Sequence, residues 1–388
     1  MKRSTDRILT THVGSLPRPD DLFETMLARM DGKPVDEQAY AARVRKAVLE
    51  CVRQQTGIGL DIVNDGEMGK PSFITYAAAR LDGLERREGV RPSPFANTRE
   101  TRDFPEYYQS AVAEQVSARR RRALMVCSGP IRYKGQAQLK ADLDTLKAAL
   151  AQVQVTEAFV PAIAPSNIET TTPNEYYPSA EAYVFAIAEA MREEYQAIVD
   201  AGFLLQVDDP FLVTYYIMRP ELSIAECRKW AELRVEALNA ALKGIPADRV
   251  RFHTCYSINM GPRVHDMQLK DIIDILLKVN AGGYSFEAAN PRHEHEWEEW
   301  RRVKLPDDKI LIPGVITQST VLVEHPELVA QRLGRFAEVV GRERVIAGAD
   351  CGFASFAGSN EVHPSIVWAK FKSLVDGARI ASERLWRR

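Results

Sequence analysis

Short β-branched runs recur along this chain, each closing on a polar or Gly/Pro cluster and each followed by a longer stretch with apolar residues three and four apart. The runs are TTHVGS (10–15), DIVNDGE (61–67), FVPAIAPS (159–166), LLQVDDP (204–210), VRFHTCYS (250–257), YSFEAAN (284–290), ILIPGVI (310–316) and VIAGADCG (345–352). Runs of this length and composition read as strands, while AEAYVFAIAEAMREEYQAIVDAG (180–202) and LKDIIDILLKVNAGG (269–283) carry helical spacing. Repeated strand–helix alternation implies a parallel sheet, and eight such units imply closure into a (β/α)8 TIM barrel. The expectation is one α/β barrel domain spanning residues 1–388.

A ninth run, LMVCSGPIRY (124–133), exceeds the count and is placed outside the barrel as an extra strand or hairpin. It falls in an insertion, 85–135, between the second and third units. The first part of that insertion is charged, with Pro92, Pro94, Pro105 and four consecutive arginines at 119–122, and reads as a surface excursion, a lid or an oligomer contact. PSNIETTTPNEYYP (165–178) is polar and proline-rich, the size of a loop at a barrel mouth.

A formal charge of -2, from 51 basic and 53 acidic residues, supplies no overall field to gather nucleic acid or an anionic membrane. No apolar run is long enough for a secretory signal or a membrane span, so the expected compartment is the cytoplasm. Five scattered cysteines argue for reduced thiols available to metal or chemistry rather than a disulfide framework. A homo-oligomer is compatible with the sequence.

In a parallel barrel the loops after the strands converge on one mouth, where active sites lie. Ser15, Glu67, Asp208, Asp209, His253, Cys255, Glu287 and Cys351 all close strand runs and would project there. His253 and Cys255, two apart, face the same side, and neighbouring strands can supply Glu287 and Cys351. Imidazole, carboxylate and two thiols form a tetrahedral set suited to Zn2+. With both thiols ionised, such a site carries a net charge near -1, a poor activator of water. It can still bind a substrate thiol and keep its sulfur ionised at neutral pH, where a free thiol of pKa ~8.5 is mostly protonated. The product of that chemistry is a thioether.

HVGSLPRP (12–19), NDGEMGK (64–70), LQVDDP (205–210), HTCYS (253–257) and GADCG (348–352) occur in the order found in the cobalamin-independent methionine synthase family, and the sequence resembles its C-terminal catalytic barrel over nearly the whole chain. The resemblance implies the barrel shared in outline with uroporphyrinogen decarboxylase, and zinc bound by His253, Cys255, Glu287 and Cys351. It also implies that Ser15, Glu67 and Asp208 hold a homocysteine-like amino-acid thiol; two carboxylates suit its ammonium group. The implied activity is transfer of a methyl group to that thiol. Full-length family members carry a second, N-terminal barrel that helps with polyglutamylated folate and is not found here, so the partners expected are a small thiol and a methyl or alkyl donor, folate-type or otherwise.

Other readings remain open on the residues. The short form also resembles epoxyalkane:coenzyme M transferases, in which case Arg18, Lys70 or Arg292 would meet a sulfonate. A metal-free decarboxylase-like barrel leaves Cys255 and Cys351 without a task, and a non-catalytic binding protein would bind thiol without turnover. His293 and His295 form an alternative metal pair, and His12 or His265 could serve as the general acid.

Overall fold

The computed structural model describes residues 1–90, 96–109, 123–256, 261–357 and 362–387. Eight parallel strands form one sheet: β1 (Leu9–Thr10), β2 (Ile62–Val63), β5 (Glu157–Ile163), β6 (Leu204–Asp208), β7 (Val250–His253), β8 (Gly283–Phe286), β9 (Ile310–Ile316) and β10 (Ile346–Ala349). Each overlaps one of the eight sequence runs. The spatial order is β1-β10-β9-β8-β7-β6-β5-β2. The two ends meet where the Asp61 amide donates to the Thr10 carbonyl at 3.2 Å and the Asp61 carboxylate accepts from the Thr10 amide at 2.9 Å. The chain is a (β/α)8 TIM barrel.

Helices fill most of the crossovers. Glu37–Ile58 joins β1 to β2, capped by the Asp36 carboxylate at its start and by left-handed Gly59 at its end. Ala180–Asp200 lies on the predicted helical stretch, with the Ser179 hydroxyl at its N-cap, and Ile224–Ala241 opens with a Ser223/Glu226 capping box. The stretch 269–283 differs from expectation, holding only a 3-10 turn, Leu269–Asp271, and a four-residue helix, Ile273–Leu276. Its apolar face is kept all the same: Leu269, Ile272, Ile273, Leu276 and Val279 are buried while Lys270, Asp274 and Lys278 are exposed, so the spacing holds although the helix is short. The stretch 165–178 differs in the other direction: Pro165–Thr171 is a buried helix with proline in its first turn, where a missing N–H removes no bond.

Outside the barrel, β3 (Leu81–Val90) and β4 (Ala123–Tyr133) pair antiparallel. The hairpin lies over the barrel mouth, because the Cys127 amide donates to the Pro173 carbonyl and the Cys127 carbonyl accepts from the Glu175 amide. Pro92, Pro94 and the arginines at 119–122 lie outside the described residues. Two short helices, Arg99–Asp103 and Pro105–Gln109, follow β3, and Arg99 donates to the carbonyls of Tyr216 and Leu222.

The barrel floor is a dry plug of Leu9, Ile62, Phe159, Leu204, Ile310, Ile312 and Ile346. Above it the lumen turns polar. Arg251, fully buried, stacks on Phe159 with 4.0 Å from guanidinium to ring and donates to the Thr11 hydroxyl and the His12 carbonyl. Apolar floor below and backbone-bound cation above confine solvent access to the C-terminal mouth.

Candidate metal centre

Register puts the last residues of β6 and β7, Asp208 and His253, side by side. The Asp208 carboxylate accepts from His253 Nδ1 at 3.0 Å, which leaves the Nε2 lone pair for a metal. Asp208 is steadied in turn by the Gln206 amide, which donates to Oδ1 at 2.8 Å and also to the Val13 carbonyl. Beyond β7 the Thr254 amide donates to the Ser285 carbonyl and its hydroxyl to the Asp209 carbonyl, so the chain stays extended and Cys255 faces the same side as His253.

Cys351 arrives after β10, three strands round the barrel from β7, by a different device. The pairing of β10 with β9 shifts register between Gly348 and Ala349. There Asp350 presses against Gly314, where an added Cβ would lie 2.1 Å from Asp350 Oδ1 and 2.6 Å from its backbone. Asp350 Oδ1 accepts from the amides of Ala288 and Ala289 at 2.7 and 2.8 Å, tying the end of β10 to the loop after β8. Burial, with Glu287 as a nearby like charge, pushes the Asp350 carboxyl up to about 7.

The outcome is a cluster of His253, Cys255 and Cys351 whose ligand atoms all lie within 4.8 Å of one another. The two sulfurs are 3.2 Å apart and all five cysteines are free of disulfides. A disulfide needs ~2.05 Å, whereas two thiolates on a tetrahedral zinc, each at ~2.3 Å, stand about 3.8 Å apart. The donor set therefore fits a zinc-like ion with small adjustment.

Glu287 stands apart from that cluster. Its Oε1 accepts from the Tyr256 amide at 2.7 Å, and its Oε2 from Arg263 at 2.9 Å and from the Asn290 side chain. Of the four residues expected to hold metal, the structure brings three together and turns the fourth toward an arginine.

The three residues expected to hold an amino-acid thiol surround the cluster. Ser15 lies against the backbone after Cys351: its carbonyl accepts from the Phe353 amide, and a Cβ on Gly352 would sit 2.0 Å from its hydroxyl oxygen. Glu67, in a left-handed conformation with φ 56°, is buried and paired with Lys70 at 3.3 Å. Burial raises its pKa, Lys70 opposes the rise, and Asp208 adds to it as a like charge. Phe356 packs against both cysteines and also lines a cavity of about 310 Å3 with Ile74, Ala78, Leu84, Met125 and Ile168.

The basic residues considered for a sulfonate have other tasks. Arg18 donates to the carbonyls of Glu67, Lys70 and Ala354, Lys70 to that of Pro161, and Arg292 to those of Arg263 and Val264. The remaining histidines lie apart from the metal cluster. His12 is buried, with Nε2 2.8 Å from Gln55, and burial lowers its pKa to about 3. His265 meets Asp103. His293 stacks on Tyr256 at 3.6 Å and lies between Asp266 and Glu296, while His295 sits in the 3-10 turn Glu294–Glu298.

Gln206, Arg263, Asn290 and Asp350 were not singled out from the sequence. Asp350 and Gln206 carried a signal, their places inside GADCG and LQVDDP. Gln206 and Asn290 act on residues two and three positions away, Asp208 and Glu287, whereas Arg263 reaches Glu287 from 24 residues earlier, and nothing local marks it.

Fold and site together define a (β/α)8 barrel whose mouth holds the donor set of a soft metal ion. Residues 8–90 and 160–367 match the sequence model described as "Cobalamin-independent synthase, Catalytic domain", and the chain belongs to that family. Among curated relatives, a methionine synthase of Thermococcus kodakarensis is 26% identical over 394 residues, covering 97% of this chain and 94% of that protein. One of Saccharolobus islandicus is 25% identical over 382 residues, covering 98% and 96%. Among solved structures, a B12-independent methionine synthase from a Shewanella species, in complex with selenomethionine, superposes with a TM-score of 0.74 at 18% identity, covering 98% of this chain and 99% of that one.

Proposed function

We propose that this protein is a zinc-dependent transferase that takes up a small amino-acid thiol of the homocysteine type and moves a methyl group onto its sulfur. The observation that carries the reading is the convergence of the His253 imidazole and the Cys255 and Cys351 thiols at the barrel mouth. Zinc there would supply positive charge that keeps a substrate thiol ionised at neutral pH. His253, held in one tautomer by Asp208, would be its nitrogen ligand, and Cys255 and Cys351 its sulfur ligands. Glu67 and Asp208 supply acceptors for the substrate ammonium group, and the Ser15 hydroxyl a donor for its carboxylate. In the transfer a sulfur lone pair forms the new S–C bond, and the pair of the breaking bond leaves with the donor. The thiol proton is released to solvent as the thiol binds.

Methionine synthases of the same length among the relatives support homocysteine as the acceptor. A coenzyme M substrate fits less well, since Arg18, Lys70 and Arg292 are occupied by backbone carbonyls.

The test is the metal content of the purified wild type beside Cys351→Ala, with zinc-edge absorption spectra recorded with and without homocysteine or coenzyme M. One zinc per chain, lost in the variant and gaining a sulfur neighbour with homocysteine, is expected. A wild type that takes up no zinc after supplementation would overturn the reading, and a sulfur neighbour gained only from coenzyme M would reassign the acceptor.

A further inference from the structure

We infer that Arg18 is a positioning residue that fixes how far Glu67 stands from the thiol cluster, and so sets the spacing between ammonium group and sulfur that a substrate must match. The inference rests on the reading above, in which Glu67 takes the substrate ammonium, and adds what holds that carboxylate in place.

Glu67 sits in a strained turn. Gly66 and Glu67 are left-handed one after the other, at φ 67° and 56°, a conformation that residues with a side chain avoid. From within, the Asn64 and Asp65 side chains accept from the amides of Gly66 and Glu67 at 2.8 and 2.9 Å. From outside, Arg18 clamps the turn: its Nη2 donates to the carbonyls of both Glu67 and Lys70, at 2.9 and 2.6 Å. Its Nη1 donates to the Ala354 carbonyl at 2.9 Å, three residues beyond Cys351. A planar guanidinium keeps its nitrogens at one separation, so the turn that carries Glu67 and the loop that follows Cys351 are held at one distance.

Arg18 is placed for this role and no other. It is buried between Pro17 and Pro19, which restrict its backbone, and its hydrogen bonds among the described residues all go to backbone carbonyls. The loop after Cys351 has further anchors, since Asp350 accepts from the amides of Ala288 and Ala289 and the Phe353 amide donates to the Ser15 carbonyl. Loss of Arg18 is therefore felt at Glu67 more than at Cys351. A thiol held by its sulfur at one end and its ammonium at the other senses that displacement, whereas a thiol without an ammonium group does not.

The experiment measures, by calorimetry on the zinc-loaded protein, the Kd of homocysteine and of 4-mercaptobutyrate, the same thiol without its amino group. The chains compared are the wild type, Arg18→Lys, Arg18→Met, Glu67→Gln and the Arg18→Met/Glu67→Gln double variant. The wild type should prefer homocysteine. Arg18→Met should weaken homocysteine about 10-fold, leave 4-mercaptobutyrate within about 2-fold, and add little in the Glu67→Gln background, because both changes act through one carboxylate. Arg18→Lys keeps the buried charge and with it the fold, yet should lose most of the preference, since an ammonium has no fork to span the three carbonyls. The inference is overturned if Arg18→Lys keeps the wild-type preference, if both thiols weaken together in it, or if the losses from Arg18→Met and Glu67→Gln simply add. Failure of the underlying reading looks different, since the wild type itself would then hold no zinc or show no preference for homocysteine.

Discussion

At the proposed metal centre the direction of His253 depends on its partners. His253 presents Nε2 because Asp208 accepts from Nδ1, and Asp208 holds its place because Gln206 donates to it. The His293 cluster beside it is sensitive to pH. Burial opposes protonation of His293, but hydrogen bonds to Asp266 and Glu296 outweigh it and raise the pKa from 6.5 to about 9. A group whose pKa is raised on folding contributes stability that is fully present below pH 6.5 and is lost as pH rises through about 9, here up to about 3 kcal/mol. Urea denaturation of the wild type and His293→Gln should therefore show a stability gap that narrows between about pH 6.5 and about pH 9.5. Parallel pH profiles for the two chains would refute this.

Among the elements, the seam between β1 and β2 relies most on side chains, because each strand is only two residues long. Asp61 compensates for the short ladder: its carboxylate accepts from the Thr10 amide and hydroxyl, both at 2.9 Å, and from Arg7. Arg7 is half exposed, so the value of the residue lies mainly in its bonds to Thr10. Asp61→Ala should destabilise the protein by about 2–3 kcal/mol and speed hydrogen exchange in β1, while Asp61→Asn, which keeps an acceptor for Thr10, should lose less. Thermal unfolding and exchange mass spectrometry read both effects. Loss of the Asp61 carboxylate without faster exchange in β1 would mean that the seam is held by other contacts.

For the molecule as a whole, the zinc proposed above would tie β7 to β10 across the two strands that lie between them. A ligand that binds the folded chain and not the unfolded one adds about 4 kcal/mol at ~1000 times its Kd. Calorimetry should show a lower unfolding temperature after chelation in the wild type and no chelator effect in Cys351→Ala; equal effects in both would place the metal elsewhere. Among the described residues no helix is long and apolar enough to cross a membrane.

The repeated strand–helix alternation was enough to determine the barrel, because a parallel sheet of eight units has few ways to bury its edges. The H-x-C spacing determined that His253 and Cys255 share a face, since side chains alternate along an extended chain. Local pattern was less informative about length: at 269–283 the helical spacing yields only a four-residue helix and a 3-10 turn, and at 165–178 a polar, proline-rich run packs its first seven residues as a helix. Only the tertiary structure decided which carboxylate serves which partner. Asp208 turns to His253 and Glu287 to Arg263, pairings set by strand register and by a loop arriving from 24 residues earlier in the chain. A carboxylate at a strand end can serve a metal, an ammonium group or an arginine, and the choice belongs to whichever neighbour the fold delivers within hydrogen-bonding distance.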